Sequence, residues 1–140
     1  MLSMTTDYAN VRTGCPEPYL RRIFKLYGPE FVGLCYDSGH GNIAGNGLDR
    51  LELVRQRLLS LHLHDNDGAS DQHKLPFEGT VDWPRLARII AASLYAKPIS
   101  MESNLGAYPK DTDEGWFLDR AFQAGTALTA MVGTSRRAAR

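Results

Sequence analysis

The sequence predicts an α/β fold with parallel strands, and three observations lead there. Short apolar runs at residues 31–36 (FVGLCY), 61–65 (LHLHD) and 99–101 (ISM) alternate with longer stretches. In those stretches the apolar residues recur at helical spacing. Such alternation builds a parallel sheet through right-handed crossovers. Each run also ends in residues capable of chemistry: Asp37, then His62 and His64, then Glu102. In α/β folds, sites form at the carboxyl ends of the strands.

Taken in order, residues 1–15 are weakly patterned, and residues 1–4 suit the stub of a strand. Pro16 and Pro18 punctuate before a helix over about 17–27, where Leu20, Ile23, Phe24 and Tyr27 share one face. Gly28-Pro29 ends it. The continuous apolar run at 31–36 suits a strand buried on both faces. It gives way at Asp37-Ser38-Gly39-His40 to a loop rich in Gly and Asn, reaching Gly47. A second helix is expected over 48–59, burying Leu48, Leu51, Val54 and Leu58. The next strand, 61–65, alternates so that His62 and His64 face one way and Leu61 and Leu63 the other.

A long polar loop then runs to Thr80, and long loops inside compact domains are often functional. Asp82 is a good N-cap for the following helix, with Val81 stapling onto Leu86. Leu86, Ile89, Ile90 and Leu94 continue its buried face. A third strand at 99–101 ends at Glu102. Thr112 or Asp113 caps a last helix carrying Trp116, Phe117, Leu118, Ala121 and Phe122, which Gly125 ends or bends. The tail SRRAAR is expected to fray. Residues 1–124 thus form the domain, and 125–140 a helix end with a basic tail.

Length and composition bound the function. At 140 residues, with 43% hydrophobic and 23% charged residues, the chain suits one ordinary globular domain. Lys+Arg and Asp+Glu both number 16, so no net charge draws it to nucleic acid or anionic membrane. No run approaches the ~20 apolar residues that span a bilayer, and residues 1–10 lack the pattern of a signal peptide. Cys15 and Cys35 have no metal or redox spacing. Low cysteine use fits a reducing compartment, so a cytoplasmic location is expected.

The stretch at 61–79 (LHLHDNDGASDQHKLPFEG) is the densest in chemistry, with three histidines and the acids Asp65, Asp67, Asp71 and Glu78. A strand that delivers His and carboxylate groups into a loop is a metal-site layout. His62 and His64 on one face of a buried strand need polar partners, because unpaired buried polar groups are costly. Asp37 is open to two readings, a cap for the next turn or a ligand. Glu102, after a buried strand, needs a cation or donors. Asp71 and His73 could be a solvated loop or part of the site. With no cysteine among them, these residues suit Mn²⁺, Mg²⁺, Co²⁺ or Zn²⁺.

Three motifs in order, GLCYDSGHGN, LHLHDNDGASDQHKLPFEGTVDW and ISMES, resemble the last three βα units of the xylose isomerase-like TIM barrels, over about residues 16–124. That superfamily holds sugar phosphate isomerases and epimerases and the endonuclease IV class of AP endonucleases. The resemblance implies a partial TIM barrel. It implies metal ligation by Asp37, His62 and Glu102, with Asp71 as a further candidate. Glu102 would also be the catalytic acid/base, and His40, His64 and His73 would face substrate. The Asp71/His73 pair matches one that binds an additional zinc in the endonucleases.

The implied activity is metal-dependent sugar or sugar-phosphate isomerisation or epimerisation through an enediolate. AP-site hydrolysis and a non-catalytic fragment or partner subunit are the alternatives. The glutamate that epimerases take from the preceding strand has no counterpart upstream of Glu17. A whole barrel needs ~250 residues. The expected partners are therefore a small sugar and either another copy or the missing half of a barrel, with no membrane and no nucleic acid.

Overall fold

A computed structural model describes residues 2–5 and 17–139. The expectations for Met1, for residues 6–16, Cys15 among them, and for Arg140 lie outside the described residues. Strand β1 spans Leu2–Thr5, helix α1 Glu17–Leu26, β2 Val32–Asp37, α2 Ser38–Ile43, α3 Gly47–Val54, β3 Leu58–His62, α4 Trp83–Ala91 and α5 Glu114–Ala138. The sheet order is β1-β2-β3, all parallel. Beyond β3 the track continues as a parallel bridge between Leu63 and Met101. Glu102 N–H donates to Leu63 O at 2.9 Å, and Leu63 N–H to Ser100 O at 3.2 Å. The expected third strand is thus a single bridge at the expected place.

The register fixes the site. Asp37 lies directly opposite His62 across β2 and β3, after a register shift between Leu34 and Cys35. Leu34, Leu61, Leu63, Leu86, Ile90 and Leu128 are all exposed by 1% or less and form the centre of the core. The side of β3 carrying Leu61 therefore faces the helices, as alternation requires. Asp82 accepts from Arg85 N–H at 2.9 Å and caps α4. Asp113 accepts from Trp116 N–H at 2.7 Å and caps α5. Cys35 is buried and forms no disulfide among the described residues. No helix among the described residues is long and apolar enough to cross a membrane.

Four expectations are corrected. The segment after Asp37 is a short helix rather than a loop, because the Asp37 carboxylate accepts His40 N–H at 2.9 Å and starts α2. The second helix stops at Val54, not residue 59, and a 3₁₀ turn over Arg55–Arg57 leads into β3 at Leu58. Arg57 enforces that early exit, since its guanidinium donates to the carbonyls of Val32 at 3.1 Å, Tyr27 at 2.8 Å and also Phe24. Helix α4 ends before Leu94, which is 76% exposed. Helix α5 passes straight through Gly125 and includes Ser135–Arg137 of the tail. It buries Ala124, Leu128 and Val132, leaving Leu118 and Phe122 exposed by 65% and 76%.

Candidate metal centre

The carboxyl ends of β2 and β3 are fastened by one hydroxyl. Ser38 Oγ donates to His64 O at 2.6 Å and accepts His64 N–H at 2.9 Å, both buried. With the two chain ends held together, Asp37, His62 and His64 converge with Glu102, which the Leu63–Met101 bridge places alongside.

Two groups of three side chains result. In the first, ligand atoms of Asp37, His62 and Glu102 lie within 4.8 Å of one another. His62 Nδ1 is 2.9 Å from Glu102 Oε2, and both side chains are part-exposed, at 39% and 46%. In the second, His64, Asp71 and His73 meet the same criterion. Asp71 Oδ2 is 3.2 Å from both His40 Nε2 and His73 Nε2, and Asp71 Oδ1 is 3.7 Å from His64 Nε2. Asp37 links the groups, because its Oδ1 is 3.1 Å from His64 Nε2 and its Oδ2 is 3.3 Å from His40 Nδ1.

His64 is completely buried. Its ring stacks on His73 with centroids 4.0 Å apart and planes 9° apart. The other neighbour is Gly39, where an added Cβ would stand 1.9 Å from His64 Cε1, so only glycine fits. The resemblance put His64 at the substrate; its side chain lies buried against Asp37, Gly39 and His73. Burial alone would push the Asp37 carboxyl up, but the His64 hydrogen bond, the His40 N–H and both imidazoles hold it below its ordinary value. Burial likewise opposes charge on His64, yet the Asp37 bond and the charges of Asp37, Asp71 and Glu102 raise it.

The donors suit a cation. His73 Nδ1 lies 2.9 Å from the Glu102 carbonyl oxygen, which can only accept, so that nitrogen carries a proton. In the neutral ring Nε2 then bears a lone pair, aimed at the Asp71 carboxylate. Two electron-rich atoms 3.2 Å apart want a proton or a metal between them. His64 Nδ1, moreover, is buried with no hydrogen-bond partner among the described residues. His73 also has φ of 51°, a left-handed conformation uncommon outside glycine, and such strain often gathers at functional sites.

The loop bearing Asp71 and His73 is held from both sides. Asp65 is fully buried and is no metal ligand, because four N–H groups use its two oxygens. Oδ1 accepts from Asn66 at 2.9 Å and Val81 at 3.1 Å. Oδ2 accepts from Phe77 at 3.1 Å and Trp83 Nε1 at 2.7 Å. A Cβ on Gly79 would stand 2.2 Å from Asn66 O. On the outer side, Tyr108 OH accepts Leu75 N–H at 3.0 Å and donates to Glu78 Oε2 at 2.5 Å. Burial first, then Glu78, push the Tyr108 hydroxyl up to about 12. Asn104 N–H donates to His73 O at 3.1 Å, and Ser103 Oγ to Lys74 O at 2.8 Å, joining this loop to the one after Glu102.

Sequence reasoning missed Ser38, Gly39, Asp65 and Tyr108 as builders of the site. Only Asp65 carried a signal, as an acid following a strand of alternating pattern; the others depend on contacts distant in sequence.

The family profile described as xylose isomerase-like TIM barrel matches residues 6–121. The chain belongs to that family. It is 40% identical to the uncharacterized protein y4fM of Sinorhizobium fredii over 124 residues, covering 86% of this chain and 39% of y4fM. It is 30% identical to the uncharacterized protein MJ1311 of Methanocaldococcus jannaschii over 91 residues, covering 63% of this chain and 31% of that protein. The chain thus spans well under half the length of these relatives. No solved structure matches it.

Proposed function

We propose that this chain carries the metal-binding rim of a sugar or sugar-phosphate isomerase or epimerase, built from the last three βα units of a TIM barrel. One observation carries the reading: Asp37, His62 and Glu102, from three successive strand ends, bring ligand atoms within 4.8 Å of one another. Mn²⁺, Mg²⁺, Co²⁺ and Zn²⁺ all accept such a set of oxygen and nitrogen donors. An ion held there would polarise a ketose carbonyl and its neighbouring hydroxyl.

The chain's own residues supply the rest. His62 fixes the Glu102 carboxylate at 2.9 Å, and the exposed side of Glu102 exchanges a proton with the carbon alpha to the carbonyl. His40 and His73 border the rim and hold substrate hydroxyls. His64 is buried behind Asp37, so it serves as a ligand or orients Asp37. Proton return on the opposite face falls to a group outside this cluster.

The test is metal uptake by the tag-free chain, followed by exchange of the alpha proton of ketoses in deuterated water. Glu102→Gln should weaken metal binding by about 10-fold or more and stop exchange. Unchanged affinity in that variant would remove Glu102 from the ligand set. AP-site phosphodiester hydrolysis is the second reading, favoured by the adjacent His64–Asp71–His73 group, since phosphodiester cleavage commonly uses paired metals. Cleavage of an abasic duplex, without ketose exchange, would select it. Metal uptake with neither reaction would point to a non-catalytic partner subunit.

A further inference from the structure

We propose that Tyr108 is a positioning residue for the candidate metal centre: its hydroxyl locks a strained loop, so that Asp71 and His73 stay in place against His64 and Glu102. The lock is read from the fold alone; its effect on an ion rests on the metal reading above.

The loop needs holding. His73 and Phe77, with φ of 51° and 76°, are the two non-glycine residues of positive φ among the described residues. That region is unfavourable for an L side chain, most of all a bulky aromatic one, and such strain persists only where surrounding contacts over-determine it. His73 is tied through Nδ1, 2.9 Å from Glu102 O, and through its carbonyl, which accepts Asn104 N–H at 3.1 Å. Phe77 is tied through its N–H, which donates to buried Asp65 at 3.1 Å, and its ring packs on Trp83. Between these two residues, Leu75 N–H donates to Tyr108 OH at 3.0 Å. Just beyond Phe77, Glu78 Oε2 accepts from the same hydroxyl at 2.5 Å. One oxygen thus spans the strained segment.

Tyr108 is itself fixed from outside the loop. Its ring meets Trp116 and Phe117 edge to face, with centroids 5.7 and 5.6 Å away. Both lie in the first turn of α5, which Asp113 caps. One turn further on, Arg120 donates to Glu78 Oε1 at 3.1 Å. The first turns of α5 therefore set the loop through Tyr108 and Glu78. Without the hydroxyl the segment can relax at His73 and Phe77. Asp71 would move with it, and its carboxylate lies 3.2 Å from both His40 Nε2 and His73 Nε2.

Tyr108→Phe tests the lock, because the ring and its aromatic contacts remain. In metal-free protein, amides of residues 71–78 should exchange with deuterium about 10-fold faster or more, with β2 and β3 much less affected. Tyr95→Phe is the matched comparison. It too loses one hydroxyl hydrogen bond, to Pro98 O at 2.6 Å, and should leave residues 71–78 at the wild-type rate. Zn²⁺ affinity should fall about 10-fold or more in Tyr108→Phe and hold in Tyr95→Phe. Exchange at 71–78 no faster in Tyr108→Phe than in Tyr95→Phe would overturn the proposal, and so would unchanged Zn²⁺ affinity. A wild-type chain that takes up no Zn²⁺ would count against the metal reading; faster exchange at 71–78 would then still uphold the lock.

Discussion

Asp37 and His64, 3.1 Å apart, are the clearest case of side chains that set each other's charge. Asp37 is held below its ordinary 3.8, so its contribution to stability is present above that value and lost as pH falls through the lower folded value. His64 is raised above 6.5, so its contribution is full below 6.5 and lost as pH rises through the raised value. In chelator-treated protein, urea midpoints should be highest between about pH 4 and 6.5 and decline on the alkaline side. His64→Gln should remove that alkaline decline; a wild-type profile flat to pH 9 would contradict the pairing. Gly39→Ala should destabilise by about 1–3 kcal/mol, because the new methyl meets the His64 ring. Asp65→Asn should cost about 2–6 kcal/mol, since an amide NH₂ would leave two N–H donors of the loop unsatisfied. Thermal melts check both. The sequence places His62 and His64 on one face by alternation alone. The partners of His64 were not legible, because Gly39 and Ser38 matter through close approach and buried hydrogen bonds that no local pattern encodes.

At the scale of elements, the N-caps were readable and the ends were not. Asp82 caps α4 through Arg85 N–H, and Asp82→Ala should lower stability by about 1 kcal/mol, measured as a shift in denaturation midpoint. Helix α2 went unseen because SGHGNI has no apolar face, and only the Asp37 carboxylate makes it a helix start. Arg-Gln-Arg at 55–57 continues a helical pattern on paper. The turn there is imposed by Arg57 reaching backbone carbonyls of α1, the turn after it and β2, a tertiary contact beyond local propensity. Helix α5 shows the converse. Its aromatic residues read as a buried face, yet Ala124, Leu128 and Val132 are the ones that pack. Leu118 and Phe122 face outward instead.

At the scale of the molecule, α/β class and parallel order follow from alternation of strand and helix, and the family match agrees with them. Three successive strand ends are proposed to assemble one metal centre. Titration calorimetry with Mn²⁺ and Zn²⁺ on the metal-free chain, beside Asp37→Asn and Glu102→Gln, tests it most directly. Saturable binding of at least one ion per chain is expected, weakened by about 10-fold or more in each variant. No uptake by the folded wild-type chain, or uptake that neither variant changes, would contradict it.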